Sequence, residues 1–201
     1  MSYFVRLLTP SLKVVPFTDL MLDVESVKLA SGMADSWEKI EINNPEGSIV
    51  AILERKLVSP GSPAETTLAE LKSSVDRSFP LSARQWIKQY LSRVKTVYSF
   101  ELLTDNISQN SWPVLGRVQN LLKDAAGGII QADNEGFYNE NGDYILWQMY
   151  EGAAGTIPAA VLNENGEWAT FSLRLKDKLA VDNFKQGIVP ARSFLDRLFG
   201  R

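Results

Sequence analysis

A chain of 201 residues with 45% hydrophobic and 22% charged side chains has the composition of an ordinary globular protein, neither disordered nor fibrous. It contains no cysteine and no histidine, which excludes disulfides, thiolate nucleophiles, sulfur- or imidazole-ligated metals, and Ser-His-Asp or Cys-His catalysis together. The net charge of −3 is small, no apolar run approaches the ~20 residues of a bilayer span, and Met1–Arg6 lacks the basic-then-apolar pattern of a secretory leader, so a cytoplasmic location is expected.

The first third reads as strands. Tyr3–Leu8 and Val14–Phe17 are apolar runs separated by Pro10 and Ser11, and Asp23–Leu29 alternates loosely. Glu38–Ile42 and Ser48–Arg55 flank Asn44-Pro45-Glu46-Gly47, with proline second and glycine fourth as a type I turn prefers. That predicts an antiparallel hairpin.

Three helices follow. Ser62, Pro63 and Glu65 form a start signal of capping serine, proline at the first helical position and glutamate three residues on. Ala64, Leu68, Leu71 and Val75 make its apolar stripe. Ser82 with Gln85 resembles a second capping box, ahead of Ala83, Trp86, Ile87, Tyr90, Leu91 and Val94 at helical spacing. After a strand at Val97–Leu103, a third helix is expected from Ser111, carrying Val114, Leu115, Val118, Leu121 and Leu122 inward and stopping at Gly127-Gly128.

The chain then returns to sheet: Gly128–Ala132, Gly136–Asn139, Tyr144–Tyr150, Ile157–Leu162 and Trp168–Leu175. Two turns here are near copies, Asn139-Glu140-Asn141-Gly142 and Asn163-Glu164-Asn165-Gly166. Each contains Asn-Gly, which predicts two-residue type I′ hairpins and an antiparallel meander. A helix at Asp177–Gln186 and a last short one from Pro190 to Phe199 complete the reading. No polar linker divides the chain, so residues 1–201 are expected to form one α+β domain. Its antiparallel sheet, in one or two sections, would pack against three central helices and a C-terminal helical tail.

Charge is unevenly placed. Between Asp124 and Leu173 there is no lysine or arginine, while eight acids give the segment −8 and leave +5 elsewhere. A concentrated negative face attracts a basic partner and speeds association. Acids at hairpin turns also keep sheets solvated without any partner, and both readings stand at this point. The leading expectation is a non-catalytic interaction protein, of the inhibitor or immunity type, binding a basic protein partner through Asp133, Glu135, Tyr138, Glu140, Asp143 and Trp147. The alternative is a carboxylate-based hydrolase or carbohydrate-binding module, with Asp133 and Glu135 as acids and Tyr138, Tyr144, Trp147, Tyr150 and Trp168 as a sugar-stacking platform.

Other candidates carry less. Asp133, Glu135, Asn139, Asn141 and Asp143 offer oxygen donors for Ca²⁺ or Mg²⁺, but Tyr138 stands where an EF-hand needs glycine, so no metal is expected. Gly152-Ala153-Ala154-Gly155-Thr156 lacks the lysine of a phosphate-binding loop, and no cofactor is expected. Arg84, Lys88, Arg93 and Lys95 interleave with Trp86 and Tyr90, yet the aromatics fall on the core stripe and the pI is near 5.1, which argues against nucleic acid. Phe194, Leu195, Leu198 and Phe199 oppose Arg192, Arg197 and Arg201 in a tail too short to hold a membrane. Such an end closes its own core or, failing that, joins two copies as a homodimer.

Overall fold

The computed structural model describes residues 3–23, 26–149 and 152–189; the expected terminal helix at 190–199 and Tyr150 lie outside them. The architecture is α+β, with one mixed sheet of ten strands and five α-helices among the described residues. The strands are β1 (Tyr3–Thr9), β2 (Val27–Ser31), β3 (Lys39–Asn43), β4 (Ile49–Leu57), β5 (Thr96–Leu102), β6 (Ile129–Ala132), β7 (Gly136–Tyr138), β8 (Tyr144–Trp147), β9 (Thr156–Leu162) and β10 (Trp168–Arg174). The helices are α1 (Phe17–Asp23), α2 (Pro63–Ser74), α3 (Leu81–Leu91), α4 (Ser111–Ala126) and α5 (Lys178–Lys185).

The spatial order is β10-β9-β8-β7-β6-β1-β5-β4-β3-β2, a single sheet rather than two sections. The amino-terminal strand is therefore central. It pairs antiparallel with β5 on one side (Leu7 opposite Tyr98) and with β6 on the other (Leu7 opposite Ile130), joining the two halves of the chain. One pair departs from the expected meander: β8 and β9 run parallel, meeting at Tyr144 and Ala159. The reason is local. The strand end that a hairpin would continue is already bonded elsewhere, Trp147 N to Phe79 O at 2.7 Å and Gln148 N to the Tyr144 hydroxyl at 3.0 Å.

Because strand side chains alternate between faces, the same strands feed two cores. Leu7, Ile40, Ile42, Ala51, Leu53, Tyr98 and Phe100 cluster with Leu20 of α1 and with Leu115, Val118 and Leu122 of α4. Leu8, Val97, Ile129 and Phe137 cluster with Leu68 and Leu71 of α2 and with Ile87 and Tyr90 of α3. A third cluster, Tyr144, Ala159, Val161 and Leu173, surrounds Val181 and Phe184 of α5.

Helix signals held unequally. Ser62 caps α2, its Oγ accepting from Glu65 N at 3.2 Å, while Glu65 Oε2 accepts from Gly61 N instead of the cap residue. The Ser82/Gln85 box is not used: α3 starts two residues earlier than it would place the helix, with Pro80 at the N-cap position and no side-chain cap. Val14–Phe17 is not a strand. Phe17 opens α1, whose first turn bonds back to Pro16 O, and the preceding residues are tied by side chains: the Trp37 indole donates to Val15 O at 2.7 Å and the Tyr98 hydroxyl to Lys13 O at 3.1 Å.

The turns correct the hairpin prediction. Asn139 N bonds Asp143 O, Gly142 N bonds Asn139 O, and Asn139 Oδ1 accepts from the amides of Asn141 and Asp143. Asn163 repeats every one of these bonds with Asn165, Gly166 and Glu167. Only the glycines take positive φ, +86° and +79°, so these are type I turns with a glycine bulge and not type I′ turns. Asn44, Gly47 and Ser48 repeat three of these four bonds, in a third turn of the same kind.

Candidate functional site

The site grows from the three residues, Asp133 to Glu135, that turn the chain from β6 into β7. Asp133 N donates to Phe4 O, Glu135 N to Ala132 O, and Asn134 sits at φ 58°, a left-handed conformation that asparagine tolerates better than most residues. Gly136 follows at φ 133°, where a Cβ would stand 2.1 Å from Leu146 O. Backbone packing thus requires glycine there, and this sets the direction in which Glu135 leaves the turn.

Both ends of Glu135 are held. Its carbonyl accepts from the Tyr144 hydroxyl at 2.6 Å and from Gln148 N at 3.2 Å. Its carboxylate accepts from the Tyr3 hydroxyl at Oε1 (2.6 Å) and from the Tyr138 hydroxyl at Oε2 (2.8 Å). Among the described residues no lysine or arginine forms an ion pair with it. Burial, and then the hydrogen bond to this carboxylate, push both tyrosine hydroxyls well above the usual range, so both stay protonated donors.

Tyr3, Glu135 and Tyr138 line a cavity of about 350 Å³ together with Val5, Ile130 and Trp112. Trp112 lies on the first turn of α4 and is 55% exposed. Its ring gives the cavity a large aromatic surface that solvent and a ligand can reach. Among the described residues Glu135 is the only carboxylate lining the cavity.

Asp133 belongs elsewhere. Its carboxylate meets Arg6 Nη1 at 2.5 Å and Gln131 Nε2 at 3.3 Å, with Arg6 also bonding Gln131 Oε1 at 2.6 Å. Arg6 alternates with Tyr3 and Val5 along β1, so this ion pair serves the opposite face of the sheet. Glu140 is exposed on the β7–β8 turn, the far end of β7 from Glu135, and lines a smaller depression with Lys123 and Asp124. Asp143 accepts from Asn139 Nδ2 at 3.2 Å. Trp147 packs on the α5 side, 6.1 Å from Tyr144 and under Lys185 Nζ at 4.6 Å.

Of the six residues expected to share one face, the structure therefore brings Glu135 and Tyr138 together at the cavity and distributes the others around it. Tyr3 and Trp112 are the members that sequence reading did not single out. Trp112 carried a signal, since it falls off the apolar stripe of its helix; Tyr3 carried none, because an aromatic alternating with Val5 and Leu7 reads as core.

The basic group on α3 is partly engaged: Lys88 pairs with the Asp76 carboxylate, Arg84 donates to Asp76 O, and Trp86 stacks on Tyr90 and meets Trp168 edge-on. Among the described residues no group of three or more carboxylates is placed to hold a metal ion, and no helix is long and apolar enough to cross a membrane. No protein-family model matches this chain, and comparison with curated proteins and with solved structures finds no match either.

Proposed function

We propose that this chain is a non-catalytic interaction protein that binds a basic protein partner through its acidic segment, residues 124–173, in the manner of an inhibitor or immunity protein. The observation that carries the reading is Glu135: a carboxylate fixed at a cavity wall, without a cation of its own, beside an exposed tryptophan. The lack of any lysine or arginine across those 50 residues supports it, with Arg6, Lys123 and Lys185 from outside the segment set against Asp133, Glu140 and Trp147 and away from the Glu135 carboxylate.

The same geometry lends less support to a carboxylate hydrolase. Acid–base chemistry on a glycoside needs two carboxylates flanking one bond, ~5 to 9.5 Å apart. Here Asp133 is bound to Arg6 on the other face of β1, and Glu135 has no acidic partner in the cavity.

The test is capture of basic proteins on the immobilised chain, eluted by a salt gradient, against a triple variant Glu135→Gln, Glu140→Gln, Asp143→Asn. Asp133 is left intact so that Arg6 keeps its partner. A basic protein held at ~50 mM salt, released towards ~500 mM as screening tightens, and lost with the variant supports the reading. Equal retention by both chains overturns it.

A further inference from the structure

The cavity at Glu135 is specific enough in its chemistry to name what enters it. Resting on the interaction reading above, we infer that the cavity of Tyr3, Trp112, Glu135 and Tyr138 seats the side-chain ammonium of a single lysine of the partner.

The lining holds one negative charge and three aromatic side chains. An ammonium is attracted both by a carboxylate and by aromatic ring faces, and the apolar part of a lysine stem suits Val5, Leu102, Ile130 and Ala132, with Gln119 and Gly142 completing the wall. A volume of about 350 Å³ stands at the small end of ligand pockets, which run from ~300 to ~1,000 Å³, and is ample for one side chain.

Lysine is favoured over arginine by the bonds already made. A carboxylate offers about four lone-pair sites, and the Tyr3 and Tyr138 hydroxyls use one on each oxygen. One site remains on each oxygen, but a guanidinium fork needs both to be coplanar and turned to the ligand at once, whereas an ammonium is a point charge that needs only one. The tyrosines also fix the carboxylate before the ligand arrives, so little side-chain freedom is lost on binding.

The test uses Nα-acetyl-lysine methylamide as probe, with the norleucine analogue as its uncharged control and the arginine analogue as its rival. Binding is followed by two-dimensional NMR on the ¹⁵N-labelled chain, reading the Trp112 indole N–H, assigned by its loss in Trp112→Phe, and the amides of Glu135 to Tyr138. The lysine probe is expected to shift these signals saturably in the millimolar range. Glu135→Gln, which leaves acceptor oxygen for one tyrosine, is expected to weaken that binding at least ~10-fold. Trp112→Ala, at an exposed position, is expected to weaken it ~3- to 10-fold.

Equal shifts from norleucine would make the cavity merely apolar and overturn the inference. So would tighter binding of the arginine probe, or lysine-induced shifts confined to Glu140 and its neighbours. The two proposals fail separately. A basic protein whose capture depends on Glu140 and Asp143 while the cavity ignores lysine removes the inference alone. A cavity that binds lysine in a chain whose captured proteins ignore the triple variant removes the broader reading alone.

Discussion

The Tyr3 hydroxyl donates to Glu135 Oε1 at 2.6 Å across 132 positions of sequence, so the first strand of the chain finishes a site begun in its second half. A hydrogen bond to a charged acceptor contributes ~1.5–3 kcal/mol when well shielded and less where water reaches it. With both groups partly buried, Tyr3→Phe is expected to destabilise the fold by ~1–2 kcal/mol. A double-mutant cycle with Glu135→Ala, measured by urea unfolding, should show coupling; strictly additive losses would mean the bond contributes nothing.

Alkaline pH should unfold the chain earlier than its composition suggests. Burial raises the hydroxyls of Tyr3, Tyr90, Tyr138 and Tyr144 above the ordinary value near 10, so the folded state keeps these protons after the unfolded state has lost them. The stability they contribute is complete below pH ~10 and is lost as pH rises towards their folded values. The urea midpoint is expected to drop between pH 10 and 12, less steeply in Tyr138→Phe, with native tyrosinate absorbance lagging that of the unfolded chain. A flat midpoint to pH 12 would contradict this.

Arg6 and Glu135 separate structure from recognition. Arg6→Ala leaves Asp133 partly buried without its cation and should cost ~2–4 kcal/mol, somewhat below the figure for a fully buried pair. Because that pair serves the opposite face of β1, the cavity's affinity for a lysine probe should change less than twofold. A large loss of affinity in a folded Arg6→Ala chain would show the two faces to be coupled.

The turn at Asn134 and Gly136 should respond asymmetrically. Asn134→Gly relieves a left-handed residue and is expected to be neutral or slightly stabilising, whereas Asn134→Ala should cost ~1 kcal/mol. Gly136→Ala drives a methyl to 2.1 Å from Leu146 O and should abolish folding or move β7 away from β8. Thermal melts of the three variants decide it, and a well-folded Gly136→Ala chain would refute the packing argument.

The three repeated asparagine turns offer an internal control. Losing the carboxamide acceptor should cost ~1 kcal/mol wherever released amides can turn to water, and more where they cannot. Asn139 is buried and Asn163 exposed, so Asn139→Ala is expected to lower the melting temperature more than Asn163→Ala. The reverse order would show that burial does not set the effect.

Much of the fold was legible because the signals were local. Ser62-Pro63 and Gly127 bound helices whose apolar stripes face inward as their spacing requires, and Asn44-Pro45-Glu46-Gly47 builds the turn its residues prefer. The Asn-Gly dipeptides misled because glycine at the fourth turn position and glycine after a type I′ asparagine look alike in sequence. What separates them is the preceding Asn139 or Asn163, whose side chain accepts two turn amides. Val14–Phe17 misled because its apolar residues are held by Trp37 and Tyr98 and not by a strand partner.

Composition alone removed cysteine and histidine chemistry, and periodicity alone placed most helices and strands, since both depend on residue identity or on neighbours a few positions apart. The same local reading found an acidic, cation-free segment but could not divide it. Only the tertiary structure turned Asp133 towards Arg6 and Glu135 towards Tyr3, Tyr138 and Trp112, because strand alternation and the pairing of β1 with β6 set which face each carboxylate meets.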